Sequence, residues 1–259
     1  MASSERLVKA RVMAQSFPNI TPPSSVSVAI IDSGLNPRHP HVGAVAGGVA
    51  FSLDDSGKIR QSDDYIDRRG HGTALAGIVR AKAPQVELYA VKIFRDPVTP
   101  NDPLTTSLEV LVTGLCWAIA QQIRIINLSL GATNPTYRDR LHALVRRAHT
   151  SGLFVVASAP PGDATTLPAA LPDVIAVAAD DSCPWNAYHY VQDDPVPFRA
   201  HPYARPIPGL SQDRNFHGHS CASAHVTALL ALLLQHNISL AADEARDALR
   251  QTILLNSAR

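Results

Sequence analysis

Apolar positions along the chain alternate between short unbroken runs and longer stretches with a one-sided period. Val26-Ser27-Val28-Ala29-Ile30-Ile31 is β-branched, too short for a helix, and breaks off at Asp32-Ser33-Gly34, which predicts a buried parallel strand with a carboxylate at its C-terminal end. Residues 36–70 carry Pro37, Pro40, Gly43, Gly47 and Gly48 and read as loop with one short strand near Val49. A helix opens at Gly70-His71-Gly72. Beyond it the pattern predicts a strand over Val86 to Phe94 and a helix over Ser107 to Gln121, with Leu108, Leu111, Leu115 and Ile119 on one face. A strand over Ile123 to Leu130, a helix over Tyr137 to Thr150, and strands over Leu153 to Ala159 and Val174 to Ala178 follow. Small residues after Gly218 lead into a leucine-rich helical run to Leu234, and a last helix spans about Leu240 to Ile253 with Ser239 as its cap. Strand and helix by turns predict an α/β fold of three layers, a mostly parallel central sheet flanked by helices and joined by right-handed crossovers.

A length of 259 residues with 46% hydrophobic content suffices for one continuous core, placed at 26–259. Residues 1–25 form an N-terminal extension and a Pro- and Ser-rich lead-in loop. Lys and Arg total 23 against 22 Asp and Glu, which excludes an electrostatic case for nucleic acid or an anionic membrane surface. Cys116, Cys183 and Cys221 are far apart and lack metal-ligand spacing, and His39-Pro40-His41 has no third ligand nearby. No metal and no cofactor are expected. The first 15 residues hold Glu5, Lys9 and Arg11 and lack the apolar centre of a secretory signal, so the expectation is a soluble, cytoplasmic protein. The segment from Cys183 to Arg214, with Trp185, Tyr188, Tyr190, Phe198 and Tyr203, reads either as a substrate-facing lid or as a packed surface loop.

Three polar residues stand where chemistry can be done. Asp32 at a strand end reads as a turn residue or as a site carboxylate. His71, between glycines at a helix start, reads as a loop histidine or a general base. Ser220, in the first turn of a buried helix, reads as a cap or a nucleophile. Taken together they specify nucleophilic catalysis. His71 accepts the Ser220 proton and returns it to the leaving group, while Asp32 orients the imidazole and stabilises its cation.

The order Asp, His, Ser is that of subtilisin, and the motifs around it resemble the subtilase family from about Val26 to the end. The matching stretches are Ile30 to Gly34, Gly70-His71-Gly72-Thr73 with Ala76-Gly77, and Gly218 through Val226. Val91-Lys92, Trp117 to Ala120, Ile126 to Gly131, Leu171 to Val177 and Ile207-Pro208-Gly209 fall between them in family order. The resemblance implies a subtilisin-like fold and a peptide or protein substrate bound as an added strand. By position Ser129, Leu130 and Gly131 form the pocket-side strand. The facing segment, Asp102 to Thr105, is interrupted by Pro100 and Pro103, which implies a distorted wall.

Departures from the family pattern bear on the reaction. Subtilases complete an oxyanion hole, begun by the nucleophile's own N–H, with an asparagine amide; here a gapless match puts Pro161 at that position, and two inserted residues bring Asp163 there instead. An aspartate donates only when protonated, so a hole built on Asp163 implies activity that rises on acidification until His71 protonates. His219 replaces a threonine, Ala224 a proline and Ala74 a second histidine, and Cys221 reads as a small buried neighbour of the nucleophile. The expected function is a serine endopeptidase of narrow specificity, such as a maturation protease acting on a precursor peptide. The alternatives are a transamidase or peptide macrocyclase using the same acyl-enzyme, and a catalytically weak peptide-binding pseudoprotease.

Overall fold

The computed structural model describes residues 7–10, 25–99 and 102–256, with side chains over 25–99 and 102–250. The strands are β1 (Leu7–Ala10), β2 (Ser27–Asp32), β3 (Gly47–Leu53), β4 (Ile59–Ser62), β5 (Glu87–Lys92), β6 (Ile125–Leu128), β7 (Phe154–Ser158), β8 (Val174–Ala179), β9 (Tyr188–Val191) and β10 (Phe198–Ala200). The helices are α1 (His71–Lys82), α2 (Leu108–Ala120), α3 (Arg138–Thr150), α4 (His219–His236) and α5 (Ala242–Asn256). One sheet holds all the strands in the order β1-β9-β10-β8-β7-β6-β2-β5-β3-β4, parallel from β10 through β3 apart from the edges, where β4, β9 and β1 pair antiparallel.

Strand alternation assigns each side chain to a layer. On one face Val28 and Ile30 of β2, Ile125 of β6, Val156 of β7 and Ile175 of β8 pack under α1 and α4; on the other Ala29, Ile31, Ile126, Val155 and Ala176 pack under α2 and α3. Both faces of the central strands are therefore covered, which is why their sequences read as unbroken apolar runs. The parallel strands all end at the same sheet edge. Asp32 sits at that edge on β2, flanked by β5 and β6.

Several elements differ from the sequence expectation. The Cys183 to Arg214 segment is no lid: it supplies β9 and β10, extends the sheet, and buries Tyr188 and Phe198. Arg199 is buried within it, its guanidinium paired with Asp194 and donating to the Val196 carbonyl. Ser239 does not cap the last helix, since its hydroxyl donates to Asn237 Oδ1 while Glu244 reaches back to accept the Ala241 N–H at 2.9 Å. Ser107 does cap α2, accepting the Val110 N–H at 3.3 Å.

Candidate active site

The Asp32 and His71 pair is built by pressing the start of α1 onto the end of β2. A Cβ on Gly72 would fall on the Gly34 carbonyl oxygen and lie 3.3 Å from Asp32 Cβ, so this approach requires glycine. The Gly72 N–H donates to Ser33 Oγ at 3.0 Å. Ahead of the helix the buried Asp67 carboxylate accepts the N–H groups of Arg69, Gly70 and Thr73, each at 2.9 Å, and the Thr73 hydroxyl at 2.6 Å. The approach to α1 is thus fixed from both sides.

His71 Nδ1 consequently lies 2.7 Å from Asp32 Oδ1, which also accepts the Ser33 N–H at 2.7 Å. With Nδ1 as donor, the neutral ring keeps its lone pair on Nε2. Asp32 Oδ2 is buried and has no hydrogen-bond partner among the described residues. Such a poorly solvated carboxylate favours a cation beside it. Burial by itself would lower the His71 pKa, but the charge of Asp32, its hydrogen bond and the more distant Asp67 outweigh burial and raise it above the ordinary histidine value.

Ser220 is the second residue of α4 and not its cap, a place held by Gly218 with a φ of 113°. The Ala222 N–H bonds the Gly218 carbonyl at 3.2 Å, so the N–H groups of His219, Ser220 and Cys221 precede the helical ladder. Ser220 Oγ donates to the Ser129 carbonyl at 3.2 Å, and among the described residues this, rather than His71 Nε2, is its partner. Ser220 and His71 nonetheless line one groove of about 340 Å³. Unliganded sites commonly hold such contacts loose until substrate is bound.

Ser129, Leu130 and Gly131 line the same groove, as their position in sequence implies. The Ser129 hydroxyl, however, turns inward to Asn127 Oδ1 at 2.8 Å, so this residue offers the groove its main chain. The opposite wall comprises Leu104, Thr105, Thr106 and Ser107 without regular strand pairing, while Pro100 lies outside the described residues. Phe94, Leu108, Leu111 and Tyr137 make the rest of the lining apolar.

Neither side chain considered as a second oxyanion donor takes that place. Asp163 lies outside the groove lining; its carboxylate accepts both hydroxyls and both N–H groups of Thr165 and Thr166, with the Thr165 pair at 2.7 Å. The Thr166 and Thr165 hydroxyls, followed by the backbone N–H groups, hold its pKa far below the usual carboxylate range. An ionised, fully engaged aspartate has no proton to donate. Pro161 is exposed and has no donor at all. The backbone N–H groups at the start of α4 that precede its hydrogen-bond ladder remain as donors, Ser220 N–H first among them. His219 accepts the Ala179 N–H on Nδ1 at 3.0 Å, so its neutral ring carries the proton on Nε2, and burial, with Arg199 nearby, lowers its pKa. Burial, with Asp32 nearby, pushes the Cys221 thiol up to about 12, which makes it inert beside the serine.

The sequence profile of the subtilase family matches residues 24–258. The minor extracellular protease Epr of Bacillus subtilis (strain 168) is 30% identical over 250 residues, covering 89% of this chain and 35% of Epr. Subtilisin E of the same organism is 30% identical over 252 residues, covering 88% of this chain and 60% of its own length. The chain thus spans about a third of the length of Epr and three fifths of that of subtilisin E. Among solved structures, a lanthipeptide protease superposes with a TM-score of 0.63 at 19% identity, covering 87% of this chain and 79% of that one, a likeness of fold.

Proposed function

The chain belongs to the subtilase family, and on that premise we propose that it is a serine endopeptidase that cleaves peptide bonds through an acyl-enzyme on Ser220. One observation carries the reading: the Asp32–His71 pair, 2.7 Å apart, opens onto the groove that also contains Ser220. In this reading a peptide lies along Ser129–Gly131. His71 Nε2 takes the Ser220 proton as Oγ attacks the scissile carbonyl, Asp32 stabilises the imidazolium, and the same proton passes to the leaving amine. Water then repeats the sequence to release the acid.

The developing oxyanion is met by the Ser220 N–H and the positive end of α4 rather than by a side-chain amide. Lack of one such donor costs roughly 10²–10³-fold in turnover, far less than the loss of the serine or histidine, about 10⁶-fold. Slow, selective cleavage therefore fits these residues better than inactivity. The apolar groove favours a substrate presenting bulky aliphatic or aromatic residues ahead of the cut. We assign a precursor peptide as the substrate class; one solved protein of this fold is a lanthipeptide protease. The free thiols of Cys116, Cys183 and Cys221 suit the cytoplasmic setting we propose for it.

Mass analysis of products from a peptide library tests the reading. Hydrolysis adds one water to the acyl fragment and disappears in Ser220→Ala. Intramolecular transfer without added water would make the chain a transamidase, and cleavage that survives Ser220→Ala would remove the mechanism.

A further inference from the structure

Behind the groove, between the end of β6 and the first three turns of α4, four polar side chains occupy space that is otherwise apolar. Asn127, Ser223 and Thr227 are fully buried and Ser129 nearly so, with 6% exposure. Alternation places Asn127 with Ile125 on the face of β6 that meets α4. Burial of such groups is costly unless they bond one another, and here they do. Asn127 Nδ2 donates to Thr227 Oγ1 at 2.9 Å and to Ser223 Oγ at 3.3 Å, Ser129 Oγ lies 2.8 Å from both Asn127 Oδ1 and Ser223 Oγ, and Ser223 Oγ donates to the Ser220 carbonyl at 2.8 Å.

The cluster reaches the nucleophile twice. Ser129 Oγ also approaches the Ser220 carbonyl, at 3.3 Å, while the Ser220 hydroxyl donates to the Ser129 carbonyl at 3.2 Å. Side chain of the groove strand thus holds main chain of the nucleophile, and main chain of the strand holds the nucleophile's side chain. The Ser129 and Ser223 hydroxyls own two protons between them but make three contacts of 2.8 Å, to Asn127, to each other and to Ser220. In any one arrangement two of these contacts are hydrogen bonds and the third carries no proton.

We propose that Ser223 is a positioning residue for Ser220, with Asn127, Ser129 and Thr227 as the frame that holds it. The inference rests on the endopeptidase reading above. By fixing the Ser220 peptide against β6, the cluster sets where both the nucleophilic oxygen and the Ser220 N–H stand relative to a peptide on Ser129–Gly131. With no side-chain amide lining the groove among the described residues, that alignment carries more of the rate than it otherwise would.

The test compares wild type, Ser223→Ala, Ser223→Thr and Thr227→Val on one cleaved peptide, together with fluorophosphonate labelling and thermal midpoints. Ser223→Ala is expected to lose about 10²-fold in kcat, the cost of a misplaced reacting group, with KM within about twofold, labelling slowed in parallel and the acid limb of the pH profile unmoved because Asp32 and His71 are untouched. Thr227→Val keeps its shape and removes only the Asn127 acceptor, so a smaller loss of the same kind is expected, and Ser223→Thr should recover most of the Ala loss. Unchanged kcat in both Ser223→Ala and Thr227→Val overturns the inference, as does a loss that simply follows the thermal midpoint. Wild type that neither cleaves nor labels overturns the endopeptidase reading itself, and this inference with it.

Discussion

At His71 two opposing effects meet, and the sign of their sum is measurable. Burial disfavours the imidazolium; the unsolvated Asp32 carboxylate favours it more strongly, so the pKa rises. The ring must be neutral to accept the serine proton, and kcat/KM should therefore fall on acidification with a midpoint above that of an ordinary histidine. Asp32→Asn removes the attraction and leaves the burial. The acid limb should then move to lower pH while kcat drops about 10⁴-fold through loss of the correct tautomer. A pH–rate profile of both proteins checks this. The same profile bears on Asp163: with its carboxylate held ionised by Thr166 and Thr165, no rise in activity on the acid side is expected.

The meeting of α1 and β2 decides whether that residue chemistry can occur. Main chain passes main chain there at Gly72, where a Cβ would collide with the Gly34 carbonyl. Gly72→Ala should push α1 outward, costing about 1–3 kcal/mol by overpacking, and lengthen the His71–Asp32 contact enough to cut kcat/KM. Chemical denaturation and kinetics on one sample measure both effects. Much of this element was legible in the sequence, because a histidine between glycines at a helix start and an aspartate closing a β-branched run leave few other placements. The inward turn of Ser129 was less visible. Asn127 within Ile123–Leu130 and Thr227 within a leucine-rich helix were the signal, polar residues in unbroken apolar runs, but only pairing of β6 with α4 brings them into contact. The oxyanion segment misled for a different reason: alignment by spacing cannot tell a donor from an acceptor, and Asp163 is engaged by two threonines that follow it.

Across the whole molecule, the sheet's two covered faces made the central strands easy to read and its edges hard. β2, β5, β6, β7 and β8 are apolar on both sides, so composition alone marks them. β9 and β10 are short and carry polar residues that tertiary contacts satisfy, His189 through Asp180 and Arg199 through Asp194, which hid them in what read as loop. The Asp-His-Ser order could be assembled from sequence because each member closes or opens a core element. Packing transmits that order to the site: Leu230 of α4 is fully buried in the layer shared with α1. Leu230→Ala should cost about 2–5 kcal/mol, read as a lower denaturation midpoint, and His71 and Ser220 should lose alignment with it, so that kcat falls at temperatures well below unfolding.

All of these expectations require that Ser220 be reached by His71 in the folded chain. Fluorophosphonate labelling followed by peptide mass mapping measures this most directly. A single adduct on the peptide containing Ser220 is expected, absent after Ser220→Ala or prior denaturation and slowed by orders of magnitude in His71→Ala. An unlabelled folded protein, or labelling at an undiminished rate in His71→Ala, would contradict the account.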